Sequence, residues 1–315
     1  MSDVIAAMKR AYAALSAGRA EVPLRARLPV APHEAVSLFM PAFVQDDAAA
    51  ALAVKVVSVF PHNVTKGLPL IHAAVLVLEA DTGRPLALLE GSTLTAIRTG
   101  AGAGAATDLL ARRDSRVGAV FGAGVQARTQ LEAMCTVRSL GTVWIYDPNP
   151  ERTAVFIQEM AGLGPIPADL RAAASPQEAT ANADIIATAT TSFVPVFADS
   201  NLKAGVHISA VGSYTPDMQE TPAETVARAL VVVDSREASL AETGDLIQPI
   251  AAGLFSAAHI HAELGEIVLG QQPGRSSDTQ ITYFKSVGVA VQDAIAAQLA
   301  LSNARKLGLG QPVDW

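Results

Sequence analysis

The 315-residue sequence predicts an α/β protein: a Rossmann-type, doubly wound parallel sheet joined to a mixed α+β lobe built from both ends of the chain. Three observations predict it. From residue 116 onward, short apolar runs alternate with helix-like stretches. Before that point, strand-like runs follow one another with no helix between them. A glycine turn then links the first apolar run of the alternating region directly to a helix.

In chain order, Val4, Ile5, Met8, Tyr12 and Leu15 recur at helical spacing and predict an amphipathic helix over residues 1–20. Strands are expected at 35–40, 51–60, 73–79 and 85–90, with Asp81-Thr-Gly83 as the turn between the last two. Close spacing makes this an antiparallel or mixed sheet. Parallel strands follow at 117–121, 143–146, 184–189, 206–211 and 229–233, with helices between them. Residues 286–307 read as one long helix, with Val287, Val291, Ala294 and Ile295 along its face; it exceeds what the Rossmann unit needs and should return to the first lobe. The expected division is 1–110, 111–287 and 288–315.

Half the residues are hydrophobic and 17% are charged, enough for a large core. A net charge of −7 argues against broad contact with nucleic acid or anionic membranes, so any anion site is a local pocket. No signal-like apolar region opens the sequence and no uncharged apolar run reaches membrane-spanning length, so a soluble cytoplasmic protein is expected. The single Cys135, beside Leu131, Met134 and Val137, reads as a core residue and excludes an intrachain disulfide.

Gly122-Ala-Gly-Val-Gln-Ala127 has the G-x-G-x-x-A form of a dinucleotide fingerprint. Gly122 permits the tight turn, Gly124 lets backbone N–H groups approach a pyrophosphate, and Ala127 keeps strand and helix close. The helix N-terminus then presents its positive dipole end to the phosphates. A second strand ends in Asp147, 23 positions after Gly124, where a ribose-binding carboxylate belongs. That carboxylate predicts a preference for NAD(H). NADP(H) is admitted as a second cofactor because Arg152, about one helical turn on, is able to swing towards a 2′-phosphate.

Three cationic residues carry candidate chemistry. Lys55 lies in a strand apolar on both faces, so its ammonium needs a buried anion, from a ligand or from the protein itself. Arg25 lies between Pro23 and Pro29 and otherwise reads as a surface arginine. Arg98 precedes a helix-like stretch with Gly100, Gly102 and Gly104. Each glycine costs a helix about 1 kcal/mol, which calls for close packing or a ligand as compensation. His259-Ile-His261 would place two rings on one face only in a strand, and no third ligand stands at a recognisable spacing, so no metal site is expected.

Taken together, Pro23-Leu-Arg25, Val54-Lys55, Gly67-Leu-Pro69, Leu94-Thr-Ala-Ile-Arg98, Gly122-Ala-Gly-Val-Gln-Ala127 and Phe284-Lys-Ser-Val-Gly288 resemble the ornithine cyclodeaminase/mu-crystallin family, in motif order over nearly the whole chain. The resemblance implies a homodimer in which residues 1–110 bind substrate and mediate dimerisation, 111–287 form the dinucleotide-binding domain, and 288–315 return to the first. It implies that Arg25, Lys55 and Arg98 clamp a substrate carboxylate, with Lys55 and Arg98 as the catalytic pair. It also implies that Val125, Gln126, Asp147, Thr190, Val211 and Ser286 line the cofactor.

One departure separates the branches of the family. Where cyclodeaminases carry an aspartate, Val211-Gly-Ser-Tyr-Thr-Pro216 puts Tyr214. A phenol with a pKa of about 10 is a poor general base near neutrality. Asp217, three residues on, reads as a cap or surface residue. The segment resembles the ketimine reductases, which reduce cyclic imino acids such as Δ1-pyrroline-2-carboxylate or Δ1-piperideine-2-carboxylate, with Tyr214 at the substrate. Two alternatives stay open: an alanine dehydrogenase or a cyclodeaminase using another base, and a mu-crystallin-like protein that binds dinucleotide and ligand without turnover.

Overall fold

The parallel sheet is wider than the sequence predicts. The computed structural model describes residues 1–45 and 50–313, and its strands form two sheets. The N-terminal sheet holds β1 (Ala20–Glu21), β2 (Ala26–Val30), β3 (Ala35–Gln45), β4 (Ala50–Val59), β5 (Ile71–Leu78) and β6 (Pro85–Glu90). It is antiparallel throughout, in the order β1-β3-β4-β5-β6, with β2 sharing the β3 edge with β1. The second sheet holds β7 (Val117–Phe121), β8 (Thr142–Tyr146), β9 (Leu170–Ala172), β10 (Ile185–Thr188), β11 (His207–Ala210), β12 (Leu230–Val233), β13 (Ile260–Glu263) and β14 (Thr282–Lys285). All are parallel, in the order β13-β12-β14-β11-β10-β7-β8-β9. Strand order reverses between β7 and β10, which opens a crevice at their carboxyl ends.

The helices are α1 (Ser2–Ser16), α2 (Gly91–Leu110), α3 (Val125–Val137), α4 (Pro150–Met160), α5 (Pro176–Thr180), α6 (Ala223–Arg228), α7 (Arg236–Glu242), α8 (Gly244–Ala251), α9 (Leu264–Val268) and α10 (Ala290–Leu307). Helix α2 starts where the Glu90 carboxylate caps the Ser92 and Thr93 N–H groups at 2.7 and 2.8 Å. Its glycines serve packing. A Cβ at Gly100 would lie 2.5 Å from the Thr129 carbonyl of α3, and one at Gly102 2.6 Å from the Tyr12 hydroxyl. Helix α10 packs on α1, α2 and the inner face of the antiparallel sheet, burying Val291, Ala294 and Ile295.

The structure departs from the sequence reading at four points. Residues 286–289 are a loop, not the start of the last helix: Gly288 takes φ +78°, and the helix begins at Ala290. The preceding residues form β14, the strand between β11 and β12, too short and too polar at its end to declare itself. Strands β1, β2, β9 and β13 are further additions; each has two to five residues, too few for a period to show. Finally, β3 extends to Gln45 because it pairs with β4 from Val36 to Gln45.

Candidate active site

Strand β4 alternates cleanly. Ala51, Ala53, Lys55 and Val57 point into the core, while Leu52, Val54 and Val56 face outward. The inward direction puts Lys55 under α10, with only 2% of its surface exposed. There Nζ meets Asp293 Oδ2 at 2.8 Å, and Arg98 Nε reaches Asp293 Oδ1 at 2.9 Å from helix α2. The buried anion beside Lys55 is therefore one the protein provides. Gln292 completes the group: its Oε1 accepts from Arg98 Nη1 at 3.1 Å, and its Nε2 donates to the Tyr12 hydroxyl at 2.8 Å.

Burial and the neighbouring Arg98 lower the Lys55 pKa to about 7, with Asp293 opposing them. Burial pushes the Asp293 carboxyl upward, but Arg98 and Lys55 outweigh it and hold the group below its usual range. One carboxylate thus sits between two cations, and at neutral pH the Lys55 proton is balanced between staying and leaving.

Arg25 joins from the β1–β2 connection. Its Nε pairs with Glu242 Oε1 of α7 at 3.0 Å, and its Nη2 donates to the Gly288 carbonyl at 2.6 Å. The 286–288 loop that offers this carbonyl is pinned by Asp234 at the end of β12. One Asp234 oxygen accepts from Ser286 Oγ at 2.7 Å, Val287 N at 2.9 Å and Gly288 N at 2.7 Å. A Cβ at Gly288 would stand 2.6 Å from Arg98 Nη1, so the guanidinium lies against bare backbone. Arg25, Lys55 and Arg98, far apart in sequence, are brought into one neighbourhood.

Sequence reasoning misses Asp293, Gln292, Asp234 and Glu242. A signal exists for the first: Asp293 interrupts the apolar face of the terminal helix between Val291 and Ala294. A cleft of about 360 Å³ adjoins Arg25, lined by Leu24, Arg27, Tyr214, Pro216 and Glu242. Tyr214 is 37% exposed, with its pKa raised by partial burial, and Asp217 is exposed as well.

At the other end of the crevice the glycine turn leaves β7 and enters α3. Gly122 has φ +96°, and a Cβ there would lie 2.6 Å from the Ala189 carbonyl. Gly124 is the N-cap residue of α3, and no side chain caps that helix start. Gln126 Oε1 is buried without a partner. Uncapped amides and a turn stripped of side chains fit a dinucleotide phosphate group, whereas the orphaned Gln126 Oε1 needs a donor, which a phosphate does not offer. Asp147 stands beside them, accepting from the Ala123 and Asn149 N–H groups at 3.0 Å each, with Arg152 Nη1 3.9 Å away. Thr190 and Val211 follow β10 and β11 on the far side of the switch point. Ser286 instead donates its hydroxyl to Asp234.

The paired histidines separate: His259 contacts the Val226 carbonyl and His261 the Pro273 carbonyl, both at 2.8 Å. Among the described residues no cluster of His, Cys, Asp or Glu is placed to hold a metal. Cys135 is buried and its thiol pKa is pushed up to about 12 by burial.

The profile of the ornithine cyclodeaminase/mu-crystallin family matches residues 1–307. The chain belongs to this family. It is 44% identical over its whole length to a Δ1-pyrroline-2-carboxylate reductase of Bacillus cereus, covering 96% of that protein. Over 89% of its length it is 37% identical to the ketimine reductase mu-crystallin of Mus musculus, covering 84% of that protein. Among solved structures, the Thermococcus litoralis Δ1-pyrroline-2-carboxylate reductase in complex with NADH and L-proline superposes with a TM-score of 0.95 at 45% identity, covering 99% of this chain and 96% of that one. An archaeal alanine dehydrogenase dimer with bound NAD follows at 0.92 and 30%, covering 100% and 95%.

Proposed function

We propose that this family member is an NAD(P)H-dependent oxidoreductase that reduces a cyclic ketimine acid, Δ1-pyrroline-2-carboxylate to L-proline or its six-membered homologue to L-pipecolate. The observation that carries this reading is the Lys55–Asp293–Arg98 cluster, in which two buried cations share one carboxylate and so retain charge for a second one. Gly122, Gly124, Val125 and Gln126 would hold the pyrophosphate, Asp147 the ribose, and Thr190, Val211 and Ser286 the nicotinamide end. The bound cofactor supplies a hydride to the C=N carbon.

The protein's part is anchoring. Arg25, Lys55 and Arg98 hold the substrate carboxylate and so fix the ring in one orientation. Burial and Arg98 lower the Lys55 pKa to about 7, and a substrate carboxylate beside it would favour the charged ammonium, keeping a proton within the site. A protonated imine is already electrophilic, so no strong base is needed. Accordingly the residue at the cleft is Tyr214, while the carboxylate of Asp217 is out in solvent. We further read the outer face of the antiparallel sheet as a homodimer surface. Phe39, Leu52, Val54, Val56, Leu76 and Leu88 line one exposed apolar face, which a second copy would cover. No helix among the described residues is long and apolar enough to cross a membrane. We place the enzyme in the cytoplasm, with which a single unpaired thiol is consistent.

A substrate panel tests the reading: five- and six-membered cyclic imines, open-chain keto acids with ammonia, and ornithine, each with NADH and NADPH. Imine reduction should exceed every other arm. Ammonia release from ornithine at a comparable rate overturns the reductase assignment, and ligand binding without turnover favours a binding protein.

A further inference from the structure

A second buried charge cluster lies under the carboxyl ends of the parallel strands, outside the cation site. The Glu220 carboxylate has no exposed surface and accepts from Thr188 Oγ1 at 2.9 Å, the Thr190 N–H at 2.6 Å and the Gly212 N–H at 2.7 Å. Thr188 ends β10 and Thr190 lies in the turn beyond it, while Gly212 lies in the turn beyond β11. A Cβ at Gly212 would collide with the Thr190 carbonyl and the Glu220 carboxylate, so the two turns meet with nothing between them.

Glu220 is itself held from behind. Its N–H donates to Asp245 Oδ1 at 2.8 Å, and Asp245 Oδ2 receives Lys285 Nζ at 3.0 Å and the Tyr283 hydroxyl at 3.2 Å. Burial raises the Glu220 pKa, and the Lys285 charge works against that rise. Strand pairing does not need this carboxylate, because β10 and β11 are already joined by their own ladder. A buried carboxylate is costly compared with apolar packing. What it adds is the conformation of the two turns past the ladder's end, where Thr190 and Val211 sit.

The geometry points to Glu220 as the positioning residue for the nicotinamide end of the dinucleotide site, acting through the turns after β10 and β11. The inference rests on the dinucleotide reading above and adds to it a residue remote from the glycine fingerprint. Lys285 and Ser286 divide the work at the end of β14: one side chain serves the Asp245–Glu220 cluster and the other the Asp234 loop.

Glu220→Gln keeps the shape but turns an NH2 group towards backbone donors. NADH and ADP-ribose, which lacks the nicotinamide, are titrated against wild type and variant by calorimetry. NADH should bind about tenfold or more weakly, with ADP-ribose within about twofold. In the ligand-free variant, amide exchange at Thr190 and Gly212 should speed up while the β10–β11 ladder stays protected. Equal loss for both ligands, or unchanged NADH affinity, overturns the inference. If the wild type binds neither ligand, the dinucleotide reading falls and takes the inference with it. Should Glu220→Gln fail to fold, Thr188→Val removes a single donor and should show the same selectivity at about two- to fivefold; no selective change there also overturns it.

Discussion

At the carboxyl end of β7 the candidate cofactor site is made almost entirely of backbone: uncapped N–H groups of α3, a glycine at φ +96°, and one carboxylate, Asp147, facing the turn. Under β4 the opposite holds. Lys55, Arg98, Arg25 and Asp293 come from a strand, a helix, a loop and the last helix, and charged side chains make the central contacts. A backbone site needs local conformation and tolerates change in its side chains. A charged side-chain site needs the whole fold, and removal of one charge leaves another buried and unpaired.

The largest expected effect comes from Asp293→Asn, which leaves two buried cations without their carboxylate. Stability should fall by about 3–5 kcal/mol at pH 6. Lys55, with a pKa of about 7 when folded against 10.5 as its ordinary value, binds fewer protons in the folded than in the unfolded chain between those values. Its burial penalty is therefore full below pH 7 and is relieved as pH rises. The destabilisation by Asp293→Asn should shrink at pH 9. Denaturant unfolding at both pH values checks this, and an equal loss at the two would break the contrast between the two regions.

Lys55→Met and Arg98→Met each leave Asp293 one cation, so the fold should persist. Catalytic efficiency on the cyclic imine should fall by about 30-fold or more, since truncating one partner of a desolvated charge pair costs about 2–5 kcal/mol. Normal substrate binding in either variant would mean the cluster is structural only. Gly288→Ala forces a side chain into the left-handed region and against Arg98, at about 1–3 kcal/mol. KM for the imine should rise by a larger factor than the Kd for NADH, which Ser286 of the same loop ties to this variant more weakly.

The smallest effect belongs to the backbone region. Arg152→Ala removes an exposed guanidinium 3.9 Å from Asp147 and should widen the preference for NADH over NADPH by about two- to fivefold. A preference for NADPH that survives the substitution would show that Asp147 does not face the ribose.

Legibility in the sequence follows the same division. The turn Gly122–Ala127, the strands flanking it and the odd position of Lys55 can be read because each depends on neighbours in sequence. Asp293 is visible only as a polar interruption of an apolar helix face, with nothing local to name its partners. The glycines of α2 announce a close approach, but not that α3 and Tyr12 make it.

The sequence by itself determined the α/β class, the glycine turn after the first parallel strand and the family, and it offered Arg25, Lys55 and Arg98 as candidates, since these are written in periodicity and in motif order. Only the tertiary structure decided that the anion beside Lys55 and Arg98 is Asp293, 195 residues beyond Arg98. The tertiary structure also decided that residues 282–285 form a strand within the parallel sheet and that Glu220 ties two turns together. The physical reason is range. Hydrophobic period and turn chemistry act over a few residues, whereas the pairing of buried charges is fixed by whichever elements the completed fold brings within about 3 Å of one another.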